Sequence, residues 1–372
     1  MQSFEYNPCG RVFFGAGAID QLGPVIAAQQ SGQVLLVTDP GVRATGLVDT
    51  AAAAAAATGA RVAVFDEVEA NPTTHHVEAG RAFAAAGIPD LIVAVGGGSA
   101  MDCAKGINFL LTNGGVMEDY WGLDKATQPM LPSIGIPTTA GTGSEAQSYA
   151  LIAQADSHRK MACGDRKARF GTVILDPDTL TSVPPAVAAT SGLDAVAHAL
   201  ETYVSTRRNP MSQLFSREAW RLLDANLEPY LADPDQEPSR AGMMLGAFLA
   251  GQAIEASMLG AAHACANPLS AGFGVDHGAS VALMLPHVVR FNGGASGAEY
   301  DGLVPGADAE ALASRVEALR TTAGLPARLR EIGIQRQALA GLARSATEEW
   351  TGQFNPRLVN QTEFLHLYNA AY

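Results

Sequence analysis

The segment HACANPLSAGFGVDHG, residues 263–278, places His263 and His277 fourteen positions apart around a middle broken by proline and glycine. A lone imidazole on an apolar segment is commonly a satisfied core residue, so these two gain chemical meaning only from what else reaches them. A second segment, SGLDAVAHALETYVS (191–205), offers Asp194 and His198 at i and i+4, one turn apart on one helix face. A carboxylate and an imidazole at that spacing make half of a divalent-metal site. The same spacing also describes an Asp–His surface pair. Joined by His263 and His277, the set becomes one carboxylate and three imidazoles, which suits Fe2+ or Zn2+ and leaves room for a substrate oxygen. The break at Asn267-Pro268 and Gly272 is expected to let two separate helices aim their histidines at one point. Glu201 continues the Asp194–His198 face; a solvated position is expected for it, with a hydrogen bond to a metal ligand as the alternative.

Two loops of small residues suggest a different chemistry earlier in the chain. VAVGGGSAMDCAKG reads as a strand, then Gly96-Gly97-Gly98-Ser99, then a helix carrying Asp102 and Lys105. Glycines let backbone N–H groups approach an anion closely, and a helix N-terminus favours negative charge, so a diphosphate is the natural guest. The run matches neither GxxxxGK[ST] nor GxGxxG, and alone it reads equally as a tight strand-to-helix turn. GAGAID (15–20) lacks the third glycine and is read as a turn. IPTTAGTGSE, ending at Glu145, brings the hydroxyls of Thr138, Thr139, Thr142 and Ser144 after another apolar strand. Two such loops after successive strands lie at the carboxyl edge of one sheet, where open α/β sheets bind nucleotides. Asp39 ends the strand VLLVTD, where a carboxylate accepts from a ribose diol or caps the following turn.

The elements that must position these residues have two grammars. QVLLVTD (33–39), RVAVFDEV (61–68) and LIVAVGGGS (91–99) are apolar runs without alternation, the pattern of strands buried on both faces of a parallel sheet. Helices are expected between them over 46–59 and 71–87, the latter opened by Asn71 as N-cap and Pro72 at the first helical position. This is a doubly wound α/β domain, residues 1–182. From about Pro184 long Ala/Leu-rich segments take over (186–205, 210–231, 238–262, 278–291, 309–323, 336–351), predicting a helical domain over 183–372.

A net charge of −13 argues against nucleic acid or an anionic membrane as the main partner. Cys9, Cys103, Cys163 and Cys265 have no CxxC spacing and read as reduced thiols rather than disulfides or metal ligands. The N-terminus lacks a signal-peptide pattern, and the apolar run from Ala241 to Leu269 is interrupted by Gln252, Glu255 and His263, as in a buried helix. A cytoplasmic protein is expected.

Taken in order, GGGSAMDCAK, IPTTAGTGSE, SGLDAVAHALETYVS and HACANPLSAGFGVDHGASVALMLPHVVRFN resemble the successive signature segments of the iron-containing (group III) alcohol dehydrogenases. The resemblance runs from RVFFGAGAIDQLG to FNPRLV (354–359), nearly the whole chain. It implies a dehydroquinate synthase-like architecture: an N-terminal nicotinamide-binding domain, a helical C-terminal domain, and a cleft between them for metal and substrate. It further implies Asp194, His198, His263 and His277 as ligands of Fe2+, with Zn2+ possible. NAD contacts fall on Asp39, Gly97, Gly98, Ser99, Thr138, Thr139, Thr142 and Ser144, with Asn71 and Lys160 as further candidates. Asp102 resembles the cofactor-loop acid, serving the loop's structure. An aspartate at position 39 fits NAD better than NADP. The implied activity is a metal-dependent NAD(H) alcohol dehydrogenase or aldehyde reductase acting on a small alcohol or aldehyde.

One departure stands out. The family often reads His-x-x-x-His-Pro-Leu, whereas this chain has Asn267 at the second position. An amide hydrogen-bonds but does not titrate, which implies an altered proton route and substrate pocket, with Asn267 as a substrate contact. Gln147 and Tyr149 are further side chains able to shape that pocket. Rival readings are a maleylacetate reductase-type enzyme, which has dropped the metal, and a dehydroquinate synthase-like lyase, which uses nicotinamide and metal without net NADH production. An exposed edge strand near the N-terminus predicts a homodimer or higher homo-oligomer.

Overall fold

Apolar runs with no alternation form the centre of a parallel sheet. The computed structural model describes residues 3–8, 10–157, 159–304, 306 and 308–372, without the side chains of 296–299. By contacts the chain forms two compact units, Asn7–Val183 and Pro184–Tyr372, the latter joined by the N-terminal residues through Tyr6.

In the first unit the strands are β1 (Arg11–Phe14), β2 (Gln33–Val37), β3 (Arg61–Phe65), β4 (Leu91–Gly96), β5 (Gly122–Leu123), β6 (Ser133–Pro137), β7 (Tyr149–Ala153), β8 (Lys160–Gly164) and β9 (Thr172–Leu175). Six of them make a sheet ordered β1-β9-β6-β4-β2-β3, with every pairing parallel. β4 and β6 are buried along their whole length, as strands covered on both faces must be. Its helices are α1 (Leu22–Gln29), α2 (Pro40–Ala44), α3 (Leu47–Ala56), α4 (Thr74–Ala84) and α5 (Gly98–Asn113). Leu22, Val25 and Ile26 of α1, with Val48, Ala51 and Ala55 of α3, pack on Val34, Leu36, Val93 and Val95 of the sheet. Burial of such side chains contributes roughly 1.5–3 kcal/mol each for the larger ones.

Some boundaries differ from those the sequence suggests. α4 begins at Thr74, not after Asn71: Thr73 caps it, with its backbone N–H donating to His76 Nδ1 at 3.0 Å. Asn71 instead takes a left-handed φ of 54°, a conformation asparagine tolerates. β5, β8 and β7 form a separate small mixed sheet that the sequence pattern did not indicate.

The second unit contains α6 (Pro185–Val204), α7 (Pro210–Ala232), α8 (Glu237–Ala256), α9 (Ala261–Phe273), α10 (His277–Asp301), α11 (Ala309–Thr322), α12 (Leu339–Glu348) and α13 (Gln361–Ala370). The apolar stretch expected as one helix over 238–262 is two: the chain turns by 104° between α8 and α9. Among the described residues no single helix is long and apolar enough to cross a membrane. The helix break between His263 and His277 also lies elsewhere than expected. α9 continues through Asn267-Pro268 and stops at Gly274, whose φ of 67° ends the helix in the left-handed region. Cys103, Cys163 and Cys265 are buried free thiols; Cys9 lies outside the described residues.

Candidate metal centre and cofactor loops

The middle of α6 is buried along one stretch that carries Asp194, His198 and Glu201. Three imidazoles face a single oxygen of Asp194. Its Oδ1 lies 3.3 Å from Nε2 of His198, 3.3 Å from Nε2 of His263 and 3.9 Å from Nε2 of His277. Ligand atoms of Asp194, His263 and His277 all fall within 4.8 Å of one another. The rings of His198 and His263 stack at 4.9 Å. Asp194, His198 and His263 are buried, while His277 keeps partial exposure. One carboxylate and three imidazoles converging at a largely buried point fit a divalent cation of the Fe2+ or Zn2+ kind.

The helices meet here for local reasons. α9 starts at the turn after α8, which puts His263 in its first turn. The N–H groups that a helix start leaves unpaired are taken by side chains: Ala262 N donates to Glu201 Oε1 at 2.6 Å, and Ala261 N to Asn355 Oδ1 at 3.3 Å. α10 starts at His277 itself, capped by Asp276, which accepts from Ala279 N at 3.0 Å. The next residue must be small. A Cβ on Gly278 would lie 2.3 Å from the carbonyl oxygen of Thr190 on α6.

Glu201 is not solvated. It is buried, and its Oε2 lies 2.5 Å from Nδ1 of His263. That contact fixes Nδ1 as the protonated nitrogen and turns Nε2 toward Asp194. Charge balance reinforces the geometry. Burial alone would raise Asp194, but His198, His263 and His277 outweigh it and hold the carboxyl well below the usual range. Burial likewise opposes charge on His263, yet Glu201 and Asp194 raise it to about 9. Periodicity placed Glu201 on the right face of the helix; only the path of α9 shows that this face is covered there.

Asn267, four residues beyond His263 on α9, is half-buried and donates from Nδ2 to Oε2 of Glu349 at 2.7 Å. Glu349 follows the last residue of α12, and no sequence signal links it to Asn267, 82 positions earlier.

In the first unit Asp39, Gly97, Gly98, Ser99, Thr138, Thr139, Thr142 and Ser144 follow strands of the six-stranded sheet, whereas Lys160 lies in the small sheet. β4 and β6 are adjacent and parallel, with Gly96 opposite Pro137, so their loops leave side by side. Gly97 precedes α5 and Gly98 begins it. The loops are in close contact: a Cβ on Gly98 would meet Thr142 Cγ2 at 2.7 Å, and one on Gly97 would meet Thr139 at 3.3 Å. Thr138 N donates to Gly96 O at 3.0 Å. Asp39 caps α2, accepting from Val42 N at 3.0 Å, and its Oδ2 lies 3.3 Å from where a Cβ on Gly96 would stand. Ser99 Oγ accepts from Asn71 N at 3.2 Å. Lys160 opens β8, opposite Ala153.

Asp102 is buried on α5 beside Lys105, 3.7 Å away. Burial raises its carboxyl, against the lowering effect of Lys105. Lys105, which sequence reasoning noted without assigning a role, donates from Nζ to the carbonyls of Ser144 and Tyr149, each at 2.7 Å. Gln147 donates to Thr142 O at 2.9 Å. Lys105 from α5 and Gln147 from just beyond the loop both hold the second loop in place. Gln147 is therefore committed to that loop, and Tyr149 packs on Gly164 of β8, where a Cβ would meet its ring at 2.6 Å. Glu145 is buried in the same cluster, and burial pushes it up to about 7.

Residues 9–177 match the family model of iron-containing alcohol dehydrogenase, and residues 188–372 match that of its C-terminal region. The chain is 32% identical over 382 residues to 1,3-propanediol dehydrogenase of Klebsiella pneumoniae, covering 99% of each. It superposes on the crystal structure of a 1,3-propanediol oxidoreductase with a TM-score of 0.94 and 31% identity, covering 100% of both chains. A sulfoacetaldehyde reductase of Bifidobacterium kashiwanohense, solved in complex with NAD+, superposes with a TM-score of 0.91 at 25% identity, covering 100% of this chain and 99% of that one.

Proposed function

The chain belongs to the iron-containing alcohol dehydrogenase family, a family that uses NAD and iron, and we propose that it transfers hydride between NAD(H) and a small alcohol or aldehyde. The observation that carries this reading is the convergence of three imidazole Nε2 atoms on one oxygen of Asp194. Asp194, His198, His263 and His277 hold the ion, and Glu201 keeps His263 presenting Nε2. When bound, iron supplies Lewis acidity to the substrate oxygen and lowers the pKa of an alcohol there.

The nicotinamide cofactor carries the redox chemistry, and the protein orients it. The N-terminus of α5, with Gly97, Gly98 and Ser99, receives the diphosphate. Thr138, Thr139, Thr142 and Ser144 offer uncharged hydroxyls to phosphate and ribose, with Asn71 and Lys160 beside them. Asp39 takes the adenosine ribose diol and repels a 2′-phosphate, favouring NAD over NADP. Asp102 shapes the loop rather than touching the cofactor, consistent with its burial against Lys105. Asn267 contacts substrate. Oxidation of the alcohol releases one hydride to the nicotinamide and one proton, which Asn267 does not accept. Water or ribose hydroxyls carry that proton.

The assembled donor set favours this reading over a reductase of the maleylacetate type. A lyase of the dehydroquinate synthase kind is separated by its lack of net NADH change. The deciding experiment purifies the protein without oxygen, measures bound metal, and follows NADH oxidation with small aldehydes before and after chelation. Metal-dependent NADH loss is expected. Bound metal and NADH with no turnover of any aldehyde or alcohol would overturn the dehydrogenase reading. The proposal includes self-association through β1, an edge strand that exposes Val12 and Phe14; light scattering after gel filtration tests it.

A further inference from the structure

No metal ligand lies in the segment FNPR (354–357), yet it is bonded to the three helices that carry them, α6, α9 and α10. Phe354 O accepts from Thr206 N, just past the end of α6, at 2.8 Å. Asn355 Oδ1 accepts from the N–H of Ala261, the first residue of α9, at 3.3 Å. Arg357 lays its guanidinium over the Phe291 ring of α10, 3.9 Å from the centroid, and donates from Nη1 to Phe291 O at 2.8 Å. Pro356 confines the residue before it to extended backbone. Asn355 accordingly takes φ −62° and ψ 139°, which sets the direction of its Cβ.

Asn355 is buried, and its amide is used to capacity. Oδ1 accepts from Ala261 N and also from Asn292 Nδ2, the latter at 3.1 Å. Nδ2 donates to Asn292 Oδ1 and to Arg357 O, each at 2.7 Å. Both donor and both acceptor positions are taken, so turning the amide over would set donor against donor at Ala261. Asn292, buried on α10, closes the exchange from the other side. A buried polar network satisfied on every side holds one arrangement, because any other strands a donor or acceptor away from water. Aspartate at 355 would lose both donations, and leucine all four bonds.

The link to the metal centre runs past Gly260. A Cβ there would stand 3.1 Å from both Asn355 Oδ1 and Glu201 Oε1, so the two acceptors close on one point of the chain. They take successive N–H groups, Ala261 by Asn355 and Ala262 by Glu201, immediately before His263. Glu201 orients the His263 ring, whereas Asn355 fixes where the helix bearing that ring begins relative to α10, whose first residue is His277. Resting on the metal centre read above, we propose that Asn355, held by Asn292, is a positioning residue for bound metal. It ties the start of α9 to α10 and so sets how His263 and His277 meet Asp194.

The test uses the full chain, stripped of metal and titrated with Co2+ alone against a competing chelator. Bound Co2+ absorbs in the visible, and its spectrum follows the geometry of its ligands. Asn355→Ala leaves every ligand and Glu201 in place. It should weaken Co2+ binding by about 10–100-fold, the scale of a lost partner beyond the ligands themselves, and shift the visible spectrum. Asn292→Ala keeps the bond from Ala261 N and only frees the amide, so a loss of about three- to tenfold is expected, the scale of one hydrogen bond. The double variant should lose less than the product of the two, since both act through one amide. Val316→Ala, a truncation in the core of α11, is the control: it should lower the melting temperature and leave Co2+ affinity and spectrum as in the wild type. If Asn355→Ala fails to fold, Asn292→Ala decides. Folded variants that melt lower yet bind Co2+ with the affinity and spectrum of the wild type would overturn this inference alone. Failure of the wild type to bind Co2+ would overturn the metal centre and this inference with it.

Discussion

Glu201 touches no substrate in the proposed reaction, yet the metal centre depends on it. Its two oxygens do separate work: Oε1 accepts from the start of α9, and Oε2 holds Nδ1 of His263. Glu201→Gln keeps the shape but loses the charge that favours a protonated Nδ1, and metal affinity should fall by about 10–100-fold. His263→Ala should abolish binding, because the ligand itself is gone. Titration with Fe2+ and a competing chelator distinguishes the two, and equal affinity of Glu201→Gln and wild type would exclude the orienting role. That Asp194 and His198 share a helix face was legible from their i and i+4 spacing; that His263 and His277 join them was implied by the family resemblance. Glu201's burial was not legible, because periodicity tells which face a residue shares and not what covers it.

Glu145 makes a prediction about pH at the same scale. Its ordinary value is 4.5, and burial raises it to about 7 in the folded protein. Between those values the folded chain keeps a proton that the unfolded chain has lost. The group's contribution to stability is therefore full below about pH 4.5 and declines as pH rises to about 7. The total loss is roughly 3 kcal/mol at about 1.4 kcal/mol per pKa unit. Glu145→Gln carries no such titration. The difference in unfolding free energy between wild type and Glu145→Gln, followed by urea denaturation across this range, should drift against the wild type. A difference independent of pH would show that Glu145 is ionised in the fold.

At the scale of elements, the centre is set by where helices begin. His263 lies in the first turn of α9 and His277 is the first residue of α10, so each imidazole is placed by a helix start as well as by packing. The sequence showed that two helices were needed and misplaced the break between them. Pro268 removes one backbone donor, and only the carbonyl a turn earlier loses its bond, which a well-packed helix tolerates. Gly274 in the left-handed region is the stronger stop. The turn between α8 and α9 was hidden for a related reason: apolar composition runs through it unbroken. Gly278 tests how tightly these starts are held. With the Thr190 carbonyl 2.3 Å from where a Cβ would stand, Gly278→Ala must push α10 away from α6. Overpacking of this kind costs about 1–3 kcal/mol, and His277 moves with the backbone. A lowered melting temperature together with reduced bound iron is expected. Loss of stability with full metal content would mean that the helix adjusts without shifting its first residue.

For the whole molecule, the proposed division of labour follows the two compact units. The strands that carry the Gly97–Ser99 and Thr138–Ser144 loops belong to Asn7–Val183, and every residue of the metal cluster belongs to Pro184–Tyr372. That division was visible in the chain as a change from β-branched runs to Ala/Leu-rich segments. The small sheet of β5, β8 and β7 was not, because its strands are short, partly exposed and of mixed direction, so none shows a sustained period. A ligand that binds only the folded state stabilises what it binds, by about 2.7 kcal/mol at a hundredfold excess over Kd. Iron should therefore protect α6, α9 and α10 against amide exchange far more than it protects β2, β4 and β6. NAD should show the reverse order, slowing exchange at the start of α5 and in the loop after β6. Exchange measured by mass spectrometry on the metal-loaded, chelated and NAD-saturated protein separates these patterns. If chelation loosened β4 as much as α9, the two units would be one cooperative unit, and metal binding would have to be counted in the stability of the cofactor loops as well.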